Sequence, residues 1–68
     1  MKYAVVKISN DAFFIDSEWA ELDKAIVKFH SVCMGMWNAS DVESATVAII
    51  DSKMRFISGY FEKIKYES

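Results

Sequence analysis

Residues 17–37, SEWAELDKAIVKFHSVCMGMW, decide the fold because they form one long segment with a helical hydrophobic period. Apolar residues recur there in steps of three and four, which places them along one side of a helix. This stripe consists of Trp19, Leu22, Ile26, Phe29, Cys33 and Met36. Acidic residues crowd the first turns and basic residues follow, the order that a helix dipole favours. The pattern predicts a helix over residues 17–37, capped by Asp16 or Ser17 and ended at Asn38.

Strand patterns flank this helix on both sides. Residues 2–9 are rich in β-branched side chains, and residues 45–50 (ATVAII) are almost wholly apolar, as a central strand buried on both faces should be. Residues 12–15 (AFFI) follow an Asn-Asp turn signal and predict a short return strand. Residues 54–66 alternate in polarity and predict a fourth strand.

The order of these elements predicts an α+β fold of the type ββαββ, with one long helix packed on a four-stranded, mainly antiparallel sheet. All 68 residues form a single domain, since the chain has no proline and no linker. If the third strand pairs with the first, the strand order is 2-1-3-4. A βαββ arrangement, in which residues 12–15 form a loop, is the alternative.

A second apolar surface is the main functional prediction. One helix covers one face of the sheet, yet apolar residues occur at both parities of the strands, and the end of the helix carries no charge. In the fourth strand, Gly59 is a candidate bulge that changes which parity faces the core. Exposed apolar patches of this kind mark interfaces, so we expect a homodimer or a protein partner. The candidate interface residues are Met34, Trp37, Tyr3, Val5, Ile57 and Phe61.

Composition narrows the possible functions further. The chain is 53% hydrophobic, and its formal net charge of −2 gives no general attraction to nucleic acid or anionic lipid. A single Cys excludes an intramolecular disulfide, and no apolar run is long enough for a signal peptide or a membrane span. We therefore expect a cytoplasmic protein that does not bind membranes.

The stretch of residues 30–38, HSVCMGMWN, concentrates the soft ligands that suit Cu(I). Cys33 and Met36, however, lie on the apolar stripe, and free Cys and Met are common core residues. We interpret the stretch as core and expect neither a metal nor a cofactor. His30 is interpreted as a histidine at the border of the core. His30 and Cys33 lack an orienting group and an oxyanion donor, so we do not expect an enzyme.

Single-stranded nucleic acid binding is the alternative function. Three basic residues of the last hairpin, Arg55, Lys63 and Lys65, share the parity of Phe61. Basic and aromatic side chains on one sheet face can stack on bases and neutralise phosphates. The negative net charge and the single Arg argue against this function.

The chain resembles small proteins without an assigned activity that are common in Firmicutes and in their phages and mobile elements. The residues that carry the resemblance are Ala25-x-x-Lys28-Phe29-His30, Asp41-Val42 and Val47-Ala48-Ile49-Ile50-Asp51. The resemblance covers most of residues 20–60, although those proteins often have Gly in the hairpin turn where this chain has Met54. It implies a bacterial or phage origin and no particular activity.

Overall fold

A computed structural model describes residues 2–9 and 12–65 of the chain. The elements are β1 (Tyr3–Ser9), β2 (Ala12–Trp19), α1 (Leu22–Asn38), β3 (Ala45–Asp51) and β4 (Phe56–Ile64). All four strands form one antiparallel sheet in the order β2-β1-β3-β4, so the predicted ββαββ fold is confirmed, including the return strand. The predicted Asn10-Asp11 turn and the predicted strand end at Tyr66 lie outside the described residues.

The predicted start of the helix is wrong, because residues 17–19 belong to β2. Ser17 pairs with Val5, and Trp19 pairs with Tyr3. The helix begins at Leu22 after Glu21, which makes no side-chain cap hydrogen bond. Pairing with β1 and packing of Trp19 against the core outweigh the local cap signals, because propensity is weaker than tertiary contact. The predicted end at Asn38 is confirmed, and its Nδ2 donates to the Met34 carbonyl at 3.0 Å.

The main core lies between α1 and one face of the sheet. Ala25, Phe29 and Cys33 are buried on the helix, which confirms the predicted stripe except for Trp19, a strand residue. The sheet residues buried in this cluster are Val5, Val47, Ile49 and Ile64. We call this side of the sheet the covered face.

Both edge strands depart from regular pairing. In β2, Ser17 lies opposite Val5 and Ile15 opposite Val6, so Asp16 is an extra residue in a bulge. The Asp16 carboxylate lies 3.6 Å from the Lys7 ammonium and 3.9 Å from the Lys28 ammonium, which ties β2 to both β1 and α1. The bulge therefore directs the Asp16 side chain toward the helix. Without the extra residue, the side chains of β2 would alternate regularly between the two faces of the sheet.

The irregularity in β4 is larger and changes the parity of the strand. Phe56 lies opposite Ile50 and Phe61 opposite Ala48, so five steps along β4 face two steps along β3. Gly59 lies between them with φ +89°, a backbone conformation that glycine adopts readily. The predicted change of parity at Gly59 is confirmed.

The faces predicted for three interface residues are wrong. Tyr3, Val5 and Ile57 belong to the covered face, where they pack with the helix cluster. Alternation divides each strand into two sets but does not say which set the helix covers, and the β4 irregularity separates Ile57 from Phe61. Phe61, paired with Ala48, lies on the uncovered side as predicted.

Candidate functional site

The candidate site is the sheet face directed away from α1, which we call the open face. Its centre comes from β1 and β3, where four buried residues form a second cluster. These residues are Ala4, Val6, Ala48 and Ile50. Its margins come from the edge strands, where four large apolar side chains are between 45% and 54% exposed. These residues are Phe13 and Ile15 on β2 and Phe56 and Phe61 on β4.

Strand register explains how the centre is buried although α1 packs on the other side. Ile15 pairs with Val6, and Phe61 pairs with Ala48, so each large marginal side chain stands beside a smaller central one. Paired side chains on one face lie about 5 Å apart, which allows the larger ones to shield the smaller. The open face therefore shields its own centre while leaving half of each marginal side chain exposed.

Phe56 and Phe61 form an edge-to-face ring pair with centroids 5.1 Å apart. In a regular strand, residues five apart would lie about 16 Å apart and point to opposite faces. The irregularity around Gly59 brings both rings to the same face. It therefore creates the β4 margin of the open face.

Two opposite charges lie at diagonal corners of the open face. Glu18, on β2, pairs with Ala4 at one end of the sheet. Lys63, on β4, pairs with Thr46 at the opposite end of the sheet. The positions between these corners carry the apolar residues described above. The open face thus combines an apolar centre with an acidic and a basic corner.

The predicted residues at the end of the helix do not join this site. Met34 is 67% exposed, and Trp37 donates from Nε1 to the Glu62 carboxylate at 3.1 Å. Because α1 packs on the covered face, the sheet separates these two residues from Phe61. The structure therefore offers two separate apolar surfaces, of which the open face has the larger number of bulky side chains.

The chemistry available at His30 and Cys33 is limited by their surroundings. Cys33 is buried, and burial together with the nearby Glu62 carboxylate raises the pKa of its thiol from 9.0 to about 12. A protonated thiol is a poor nucleophile and a poor metal ligand. His30 is exposed, with its ring edge-on to Phe29. Within residues 2–9 and 12–65, no group of three or more His, Cys, Asp and Glu side chains is placed to hold a metal ion.

The basic residues of the last hairpin do not share one face, so the predicted placement of Arg55 and Lys65 beside Phe61 is wrong. Arg55 donates from Nε to the Asp51 carboxylate at 3.0 Å within the β3–β4 turn. Lys65 donates to the Ala39 carbonyl at the end of the helix. Hydrogen bonds from the Arg55 and Lys53 backbones, with the Arg55 side chain, hold the pKa of Asp51 below its usual value. Of these basic residues, Lys63 is the one that lies on the open face with Phe61.

A shallow groove of about 460 Å³ lies beside the helix on the opposite side of the molecule. Trp19 and Val27 supply its apolar wall, and Lys24, Lys28 and Asp23 supply charge. Among the residues that the structure describes, Asp23 is the one carboxylate that lines the groove, so the groove has no convergent pair of catalytic carboxylates. We therefore take the open face as the candidate site.

Sequence reasoning missed three margin residues of the open face, Phe13, Ile15 and Phe56. The signal for the first two was present, because AFFI is apolar at both parities and so places large apolar side chains on both faces of its strand; Phe14, of the other parity, is 54% exposed. The face on which Phe56 lies could not be predicted from such a pattern, since it depends on the irregularity that follows Phe56 in β4.

The fold and site define a small α+β domain with one covered and one open sheet face. No family model matches the chain, and neither a curated protein nor a solved structure matches it. Among the described residues, no helix is long and apolar enough to cross a membrane.

Proposed function

We propose that this protein is a non-enzymatic interaction module that self-associates through its open face. The observation that carries this proposal is the set of four half-exposed large apolar side chains around a buried apolar centre. A contiguous apolar patch of a few hundred Å² on a protein surface is often functional. A second copy supplies an apolar surface of the same size.

The size of the patch supports a dimer of moderate affinity. Large side chains of this type bury roughly 150–250 Å² each, so half-exposure leaves about 400 Å² on the four. Two copies would remove about 800 Å² from water through these residues alone, and their flanks bring the total towards the ~1,200 Å² at which stable interfaces begin. We therefore expect a dissociation constant in the micromolar range.

Charge favours an apolar protein surface over nucleic acid as the occupant. Arg55 is engaged by Asp51 and Lys65 by the helix end, so the hairpin does not present a row of cations beside Phe61. Glu18 places a carboxylate on the same face, which phosphates would repel. Cys33 is a free cysteine and the single cysteine of the chain, which suits a reducing compartment, and we propose the cytoplasm as the location of the module.

Sedimentation equilibrium over about 5–500 µM protein, a range that brackets micromolar affinity, tests this proposal with two matched variants. Phe61→Ser truncates a margin residue of the open face, whereas Met34→Ser truncates an exposed apolar residue at the end of the helix. We expect the wild type and Met34→Ser to dimerise and Phe61→Ser to remain at 7.8 kDa. Dimers of Phe61→Ser together with loss of dimers in Met34→Ser would move the interface to the helix end and contradict the proposal.

A second titration separates the nucleic acid alternative. A fluorescent single-stranded oligonucleotide is titrated with protein at low salt, where electrostatic binding is strongest. We expect no association. Binding that is lost in both Phe61→Ser and Lys63→Ala would instead support recognition of single strands by the open face.

A further inference from the structure

The four corner residues of the open face form a nearly square frame in which charged and phenyl side chains alternate. Strand register places Glu18 and Phe56 at the ends of one cross-strand row, and Phe13 and Lys63 at the ends of another. The two rows are four residues apart along β1, or about 14 Å, and four strands span about 14 Å across the sheet. Because the frame is square, a second copy fits on it with its strands either aligned or crossed.

Two-fold symmetry restricts how two copies face each other. A two-fold axis that relates two facing sheets lies in the plane between them, and the same patch then meets itself. An axis along the strands, or across them, places the Glu18 carboxylate of one copy over a phenyl ring of the other. An axis along the diagonal from Glu18 to Lys63 places like charges opposite each other. Each of these arrangements places a carboxylate on a phenyl ring or brings equal charges together, which is unfavourable.

The remaining diagonal, from Phe13 to Phe56, gives a complementary arrangement. We propose that a second copy docks on the open face with its two-fold axis along this diagonal, so that Glu18 of each copy faces Lys63 of the other. This inference rests on the proposed self-association and specifies how the two copies are oriented relative to each other. Strands of the two sheets then cross at about 90°, which is one of the two common ways in which sheets pack. Phe13 and Phe56 lie on the axis, and each packs on its own counterpart.

The two ion pairs act mainly on orientation. They lie at the rim of the interface, where an ion pair contributes only a few-fold to affinity because water screens it. Like charges, or a carboxylate on the face of a phenyl ring, are unfavourable at these corners, so the corners select the crossed arrangement over the aligned one. The apolar centre supplies most of the affinity in either arrangement.

A charge-reversal cycle tests the pairing of the corners in the full chain. Glu18→Lys and Lys63→Glu each create two repulsive contacts per dimer, and we expect each to raise the dissociation constant about tenfold. The double variant restores both pairs, and we expect its dissociation constant to return to within about threefold of the wild type. Glu21→Lys, at an exposed position before the helix, changes the net charge as Glu18→Lys does and serves as the control. A double variant as weak as the two single effects combined would overturn the crossed arrangement.

Cysteine cross-linking provides a second readout that does not depend on charge. Facing sheets pack about 10 Å apart, and in the crossed dimer Phe13 lies on the axis, so the two thiols of a Phe13→Cys dimer lie directly opposite each other and a short bismaleimide is expected to link them. Ile15 lies midway along the β2 edge, and its counterpart is displaced by about 10 Å more along the sheet in this arrangement, so Ile15→Cys is not expected to be linked by the same reagent. The native Cys33 is buried and does not compete. An axis across the strands predicts the reverse result, with Ile15→Cys linked and Phe13→Cys not linked.

Failure of this inference is distinguishable from failure of the proposed function. A wild-type dimer that is lost in Phe61→Ser but linked through Ile15→Cys keeps the open face as the interface and overturns the crossed geometry. A wild type that is monomeric throughout the concentration range overturns both.

Discussion

The two faces of the sheet are built from alternate residues of the same strands, yet they are buried in different ways. On the covered face, Val5 and Ile49 lie beneath Phe29, Ala25 and Cys33 of the helix. On the open face, small central residues are shielded by large side chains from the edge strands. A helix buries the centre of the first face, although Phe14 at its β2 edge is 54% exposed, whereas the second face has no helix over it and leaves part of every shielding side chain in water. The open face is therefore the surface that a partner would bury.

The largest expected effect comes from making the same substitution on each face. Phe29 is 4% exposed and Phe56 is 54% exposed, so Phe29→Ala empties a core site while Phe56→Ala mainly removes a marginal ring. We expect Phe29→Ala to lower the free energy of unfolding by about 3–5 kcal/mol. Phe56→Ala loses its ring pair with Phe61 and is expected to lower it by about 1 kcal/mol.

Urea unfolding at a protein concentration below the dimer dissociation constant measures both values for the monomer. In a domain of 68 residues, whose total stability is about 3–10 kcal/mol, the Phe29→Ala protein is expected to unfold at a much lower urea concentration than the Phe56→Ala protein. Equal losses in the two variants would contradict the difference between the faces.

The next effect concerns the pH dependence of the covered face at Cys33. In the unfolded chain the thiol loses its proton near pH 9.0, whereas in the folded protein its pKa is about 12. The unfolded state therefore binds fewer protons in this window, and the free energy of unfolding falls as pH rises from 9 towards 12. The contribution is fully present below pH 9.0.

The expected slope from this thiol is on the order of 1 kcal/mol per pH unit. Chemical denaturation between about pH 8 and pH 11 compares the wild type with Cys33→Ala, which removes the thiol while other groups still titrate. A shallower slope in Cys33→Ala is the predicted result. Identical slopes would mean that burial does not hold the thiol in its protonated form.

A smaller effect is expected at the bulge in β2, where an extra residue directs Asp16 toward the helix. Asp16 is only 18% exposed and pairs with both Lys7 and Lys28, whereas Glu21 and Lys24 form a solvent-exposed pair. We expect Asp16→Asn to lower the free energy of unfolding by about 1 kcal/mol and Glu21→Gln by at most about 0.3 kcal/mol. Thermal unfolding at low and high salt measures both changes, and equal changes would show that the bulge is not tied to the helix.

The smallest effect is expected in the turn between β3 and β4, outside both faces. Met54 has φ +64°, a left-handed conformation that side chains with a Cβ rarely adopt, and 59% of it is exposed. Met54→Gly relieves this strain but makes the unfolded chain more flexible, so we expect a net gain of about 0.5 kcal/mol. Lys53→Gly, at a neighbouring position without positive φ, is expected to destabilise. Destabilisation by Met54→Gly in urea unfolding would contradict this account.

The sequence was sufficient for the order of the elements along the chain and for the helix stripe, because hydrophobic period and element length are local properties. The strand order was predicted only on the condition that the third strand pairs with the first, which it does. The sequence was not sufficient for the start of the helix, since Ser17 and Trp19 pair with β1 despite a cap signal. Nor did it place Tyr3 and Val5 on the correct face, because alternation is symmetric with respect to the two sides of a sheet. For the candidate site, the sequence predicted a second apolar surface, and of the sheet residues named for it Phe61 lies on the open face.

Dilution followed by methyl NMR tests most directly whether the open face is the surface that self-associates. As protein is diluted from about 500 to about 5 µM, a range that spans the expected dissociation constant, methyl resonances of Ile15, Ala48 and Ile50 are predicted to shift together along one binding curve. Those of Val27 and Met34, which are exposed on the helix, are predicted to stay constant. Shifts confined to Val27 and Met34, or no shift at any methyl, would contradict self-association through the open face.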